Sequence, residues 1–172
     1  MAEERWVLHC KNKSGGSKSL ILAPGGAILL GRGGNHHFTP LDREISRIHG
    51  AFFFPSASQP GHGNQAFYVD CGSSLQGSRN GSYVLKRDGQ QKIFPMARYP
   101  IKDGMKLVMG QTKIHVEKVS RTATLAGKIE EVSGYKQELL EEIGSILSAL
   151  AKQDTEATIH SPIKTHGPDE KK

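Results

Sequence analysis

Three short segments bring together side chains that could hold an anion. Gly31-Arg32 follows an apolar run, Ser46-Arg47-Ile48-His49 precedes another, and Gly77-Ser78-Arg79-Asn80-Gly81-Ser82 precedes a third. Guanidinium forks stay charged and match phosphate geometry. Hydrogen bonds to a charged phosphate are the strong kind. The Asn80 amide both donates and accepts, which suits a peptide main chain. Taken singly, Arg32 and Arg79 read equally well as solvated surface arginines, and Ser46 as a local turn cap. Ser46 and His49 could also be imagined as nucleophile and base. No third orienting group accompanies them, and no GxSxG, phosphate-loop or HExxH motif occurs. No catalytic residue is therefore assigned, and an enzyme is not expected. His36-His37 has no Cys, Asp or Glu at ligand spacing beside it and reads as a solvated loop. Neither a metal nor a cofactor is expected.

These loops need a rigid scaffold, and the first two-thirds of the chain supplies short strand patterns between turn signals. Strands are predicted at Arg5–Lys11, Ser19–Ala23, Ala27–Leu30, Ala51–Phe54, Ala66–Asp70, Tyr83–Leu85, Lys92–Phe94, Lys106–Met109 and Thr112–Glu117. Pro24-Gly25-Gly26 reads as a turn, and the stretch Pro55–Asn64 as a long loop. Frequent turns and short strands imply an all-β domain, a two-sheet antiparallel sandwich, over residues 5–119.

The pattern changes after Ser120. Apolar residues recur at Leu125, Ile129, Val132, Leu139, Ile143, Ile146 and Leu150, with Lys136 in one slot, alternating steps of four and three. That spacing lays one stripe along an amphipathic helix, placed within residues 120–153. The stripe has two readings: a coiled coil that makes a homodimer through residues 125–150, or a helix docked on the sandwich. Gly134 and Gly144 count against a coiled coil. Residues 154–172 are polar, hold two prolines and read as a disordered tail. Within it, Ser161-Pro162-Ile163-Lys164 resembles the sites of proline-directed kinases, and Thr155, Thr158 and Thr165 lie nearby. A phosphorylated tail could dock on the anion site of its own or a neighbouring chain.

The net charge of +6 and pI near 9.4 favour polyanionic partners without choosing among them. Lys and Arg are scattered, and aromatics make up only 6% of residues, so a nucleic-acid surface is not the favoured reading. No run is long and apolar enough for a transmembrane helix, and MAEER does not begin a signal peptide. Cys10 and Cys71 read as free thiols in a reducing, intracellular compartment, nuclear or cytoplasmic.

In this order, Gly-Arg, Ser-Arg-x-His and Gly-Ser-x-Asn-Gly-Ser resemble the signature of forkhead-associated (FHA) domains. The finish resembles theirs too: Asp103-Gly104, then Leu107–Gly110, then Thr112–Glu117. The likeness covers residues 5 to 119. It implies an eleven-stranded sandwich that binds a phosphothreonine-containing protein or peptide. By resemblance Arg32 and Ser46 contact phosphate, and Arg47 is a second basic contact. Arg79 touches the flanking residues, and Asn80 holds the ligand main chain. Gly31, His49 and Gly81 are structural, His49 bracing the loops. Three departures stand out, one of them Met105 at a turn position where an acidic residue is frequent. The stretch after Asp70 is longer than the family pattern, which would reshape the wall of the peptide site. Ser82 stands where Thr is commoner. An FHA scaffold without phosphate dependence and a basic nucleic-acid binder remain as alternatives.

Overall fold

The computed structural model describes residues 4–13, 16–33, 36–39, 42–56, 65–120 and 129–166, with only the backbone over 156–166. Eleven strands and one long helix follow in order: β1 (Glu4–Asn12), β2 (Ser17–Leu22), β3 (Ala27–Leu30), β4 (Gly50–Phe53), β5 (Phe67–Asp70), β6 (Tyr83–Lys86), β7 (Gly89–Lys92), β8 (Tyr99–Pro100), β9 (Lys106–Met109), β10 (Thr112–Ser120), β11 (Glu130–Val132) and α1 (Leu140–His166). A 3-10 turn at Gln137–Leu139 leads into the helix. One sheet has the order β11-β2-β1-β10-β9-β6-β7, the other β3-β4-β5-β8. All pairs are antiparallel except β11, which lies parallel to β2.

Alternation explains the larger sheet. Trp6, Leu8 and Cys10 of β1 and Ile114 and Val116 of β10 point inward, while Lys11, Lys113 and His115 between them face out. Strands β3, β4 and β5 are instead continuous apolar runs, because both of their faces are covered. Ile28, Leu30, Phe52 and Tyr68 pack into the core between the sheets. Ala27, Leu29, Phe53, Phe67 and Val69 pack on the opposite side against Leu139, Ile143, Ile146 and Leu150. The molecule is thus layered sheet, sheet, helix.

This packing changes the reading of the C-terminal stretch. The apolar stripe does lie on a helix, but its partner is the β3–β4–β5 face of the same chain. Leu139, Ile143, Ile146 and Leu150 are each no more than 2% exposed. From Leu139 to Leu150 the stripe is therefore occupied within the chain, as in the docked-helix reading. The helix also starts later than predicted. Glu130–Val132 is a strand, since Ala23 N–H donates to the Val132 carbonyl (2.9 Å) and Ala27 N–H to that of Gly134 (3.3 Å). At its other end the backbone stays helical to His166, twelve residues past the point where the disordered tail was expected to begin. Ala151, Lys152, Gln153 and Glu156 are all good helix formers. Arg98 holds the helix through two 2.8 Å bonds to Asp154. Leu125 and the side chains of Thr158, Ser161 and Thr165 lie outside what is described. Strand β7 is shifted to Gly89–Lys92, because Arg87-Asp88 close a tight hairpin onto β6. No helix among the described residues is long and apolar enough to cross a membrane.

Candidate functional site

The connections β3–β4 and β5–β6 meet at one end of the sandwich. The first runs back along itself. Arg32 N–H donates to the Ser46 carbonyl (3.1 Å) and Gly33 N–H to the Arg47 carbonyl (3.0 Å). Gly31 permits this approach, since a Cβ there would sit 2.2 Å from the Arg47 carbonyl oxygen. The Arg32 Nε–H donates to the Ile45 carbonyl, which fixes the guanidinium and leaves its terminal nitrogens available.

His49 joins the two connections. Its ring is fully buried. Nδ1 accepts the Ser46 N–H (3.1 Å), so the proton sits on Nε2, which donates to the Gly81 carbonyl (3.0 Å). Burial pushes its pKa below the ordinary histidine value, partly opposed by Asp70. Both ring nitrogens are therefore committed to backbone, and the ring has no proton acceptor left for the Ser46 hydroxyl. That geometry removes the nucleophile–base reading of this pair.

The second connection is held from below. Asp70 is buried and accepts the Ser78 N–H (2.9 Å). The Ser78 hydroxyl accepts the Gly81 N–H (3.0 Å), and Gly81 turns with φ of +82°. Ser82 is buried against the Tyr68 hydroxyl at 2.7 Å. Across the gap, Arg79 N–H donates to Ser46 Oγ (3.0 Å), and Asn80 Nδ2 donates to the Glu44 carbonyl (2.8 Å).

The result is an open cleft of about 420 Å³. Arg32, Ser46, Arg47, Arg79 and Asn80 all line it, so all five sequence-predicted ligand contacts come together. Gly31, His49 and Gly81 lie beneath or between the loops, as braces rather than walls. Sequence reasoning missed Arg43, which also lines the cleft, and Ser73 and Ser74 of the long stretch after Asp70. Arg43 carries no motif of its own. Four arginines face one carboxylate, Glu44, an excess of three positive charges. None of the four makes a salt bridge among the described residues. Such a surface can bind a multiply charged anion together with an extended main chain. The His36–His37 pair is not a solvated loop: His37 is buried and its Nδ1 accepts the Leu29 N–H (3.1 Å), while His36 Nδ1 lies 2.9 Å from the Gly33 carbonyl.

Among solved structures, the chain matches the FHA domain of the CT664 protein from Chlamydia trachomatis with a TM-score of 0.50 at 20% identity, over 66% of this chain and 96% of that one. It matches the FHA domain of an Arabidopsis thaliana hypothetical protein with a TM-score of 0.51 at 21% identity, over 74% and 92%. The chain has the forkhead-associated fold. Ten of the described strands lie within Glu4–Ser120, where the resemblance implied eleven; β11 comes from beyond the expected domain, and α1 adds a third layer. No family profile matches the sequence, and neither does any curated protein.

Proposed function

We propose that this FHA domain is a phosphopeptide-binding adaptor module that recognises phosphothreonine-containing proteins. The observation that carries the reading is the convergence of Arg32, Ser46, Arg47, Arg79 and Asn80 on one open cleft with three positive charges in excess. A phosphothreonine brings nearly two negative charges and three strong acceptor oxygens. In this reading Arg32, anchored through Nε, offers its terminal nitrogens to the phosphate. Ser46 Oγ already accepts from Arg79 N–H, so its own proton is free to donate to a phosphate oxygen. Arg47 adds a second guanidinium. Asn80 keeps one N–H and its carbonyl oxygen for the ligand main chain, and Arg79 reads the flanks. Phosphothreonine, rather than phosphoserine, is assigned by the family resemblance. The buried free thiols Cys10 and Cys71 support an intracellular setting, nucleus or cytoplasm.

Isothermal titration tests this with a phosphothreonine peptide and its unphosphorylated twin. The phosphopeptide alone should bind. Arg32→Ala should cost about 1.5–3 kcal/mol, the range for a hydrogen bond to a charged group. Equal affinity for the two peptides would reject the reading.

A further inference from the structure

A second cationic surface adjoins the cleft. On the outer face of the larger sheet, Lys11 of β1 stands directly opposite Lys113 of β10. The same cross-strand row continues through Val108 and Tyr83 to Lys92. Like charges placed directly opposite each other on a sheet repel. Lys11, Lys13, Lys92 and Lys113 make no salt bridge among the described residues. The far end of the same face behaves differently. There Arg5 pairs with Glu131 at 3.2 Å, and His9 with Glu117 at 3.0 Å. Lys11, Lys13, Lys92 and Lys113 lie at the end of this face that carries the candidate site's loops.

Lys11, Lys13 and Lys113 border a groove of about 410 Å³, with Val108 and Gln111 among its walls. The groove begins where the cleft ends. Gln111 N–H donates to Asp42 Oδ2 (2.7 Å), and its side chain reaches Glu44 Oε2 (3.4 Å). Glu44 in turn holds Asn80 through its carbonyl. A chain leaving the cleft past Asn80 therefore crosses Gln111 and meets Lys11, Lys13 and Lys113.

We propose that this groove is a second anion subsite, which holds an aspartate- or glutamate-rich segment of the same partner close to its phosphothreonine. The proposal rests on the phosphopeptide reading of the cleft. A peptide fits better than a nucleic acid, because the groove walls offer no aromatic platform on which bases could stack.

The test uses phosphothreonine peptides that differ only in a short extension, acidic or glutamine-rich, placed before or after the phosphothreonine. The acidic extension should tighten binding about tenfold on one of the two sides, the sum of two or three exposed charge pairs. The gain should shrink at high salt. K11Q/K113Q should abolish the gain and leave the glutamine-extended peptide unaffected. Both lysines are exposed, and removing their repulsion should leave the melting temperature unchanged or slightly raised. Equal affinities for acidic and neutral extensions on both sides overturn the groove proposal alone, as does a gain that survives K11Q/K113Q. A single-stranded oligonucleotide that binds through these lysines while acidic extensions bring nothing also overturns it. Failure of the neutral phosphopeptide to bind at all overturns the cleft reading as well.

Discussion

Ile146→Ala separates a helix that belongs to the domain from one that pairs chains. Ile146 is fully buried among Phe53, Phe67 and the other side chains of the outer core. The substitution removes three carbons, about 2.4 kcal/mol at ~0.8 kcal/mol for each buried methylene. The cavity left behind adds to this, so about 3 kcal/mol is expected, within the observed 2–5 for such changes. For a chain of this size that lowers the melting temperature by about 6–12 °C. Leu140, six residues earlier, is 49% exposed and serves as the control. Leu140→Ala should change stability by no more than about 0.5 kcal/mol. Thermal unfolding by circular dichroism gives both numbers, and sedimentation gives the oligomeric state. The docking account fails if Ile146→Ala melts with the parent chain while converting a dimer to a monomer.

Gly31→Ala should abolish phosphopeptide binding while retaining a folded domain, because its Cβ would collide with the Arg47 carbonyl and push the two arms of the β3–β4 connection, at Arg32 and Ser46–Arg47, apart; titration of a folded variant with undiminished affinity would refute this. Stability should fall on acidification below about pH 6.5. His37 and His49 each accept a backbone N–H through Nδ1 and must stay neutral. Burial lowers the His37 pKa from 6.5 to about 4 and moves His49 in the same direction. Between those values the unfolded chain binds more protons than the native one, so stability, complete above pH 6.5, drains away as pH drops. Urea unfolding at pH 7.5 and pH 5 checks this, and equal stability at both would refute it. Cys10, whose thiol burial pushes up to about 12, and Cys71, pushed up further, should resist thiol reagents in the native state and react fully in denaturant.

The cluster of Arg32, Ser46, Arg47, Arg79 and Asn80 was legible because these residues sit in ordered motifs, and the turns between strands fix which loops meet. Arg43 was not legible, since only the folded connection brings it beside Ser46. The strands buried on one face showed themselves by alternation. The apolar runs at Ala27–Leu30, Gly50–Phe53 and Phe67–Asp70 carried a second message, that something covers their other face. The helical stripe at Leu139, Ile143, Ile146 and Leu150 was that cover, but periodicity names a buried face without naming its partner. Glu130–Val132 escaped notice because a three-residue strand has no period, and its identity is set by hydrogen bonds to the β2–β3 turn. The unpaired lysines of the outer face were scattered in sequence at 11, 13, 92 and 113, and only the sheet register gathers them.

The central claim, phosphate-dependent binding at the Arg32–Ser46–Arg79 cleft, is tested most directly by an amide-resolved NMR titration with a neutral-flanked phosphothreonine peptide. The account predicts saturable shifts at Arg32, Gly33, Ser46, Arg79 and Asn80, with β11 and α1 unmoved and no shifts from the unphosphorylated peptide. Identical shifts from both peptides, or shifts confined to another surface, would contradict it.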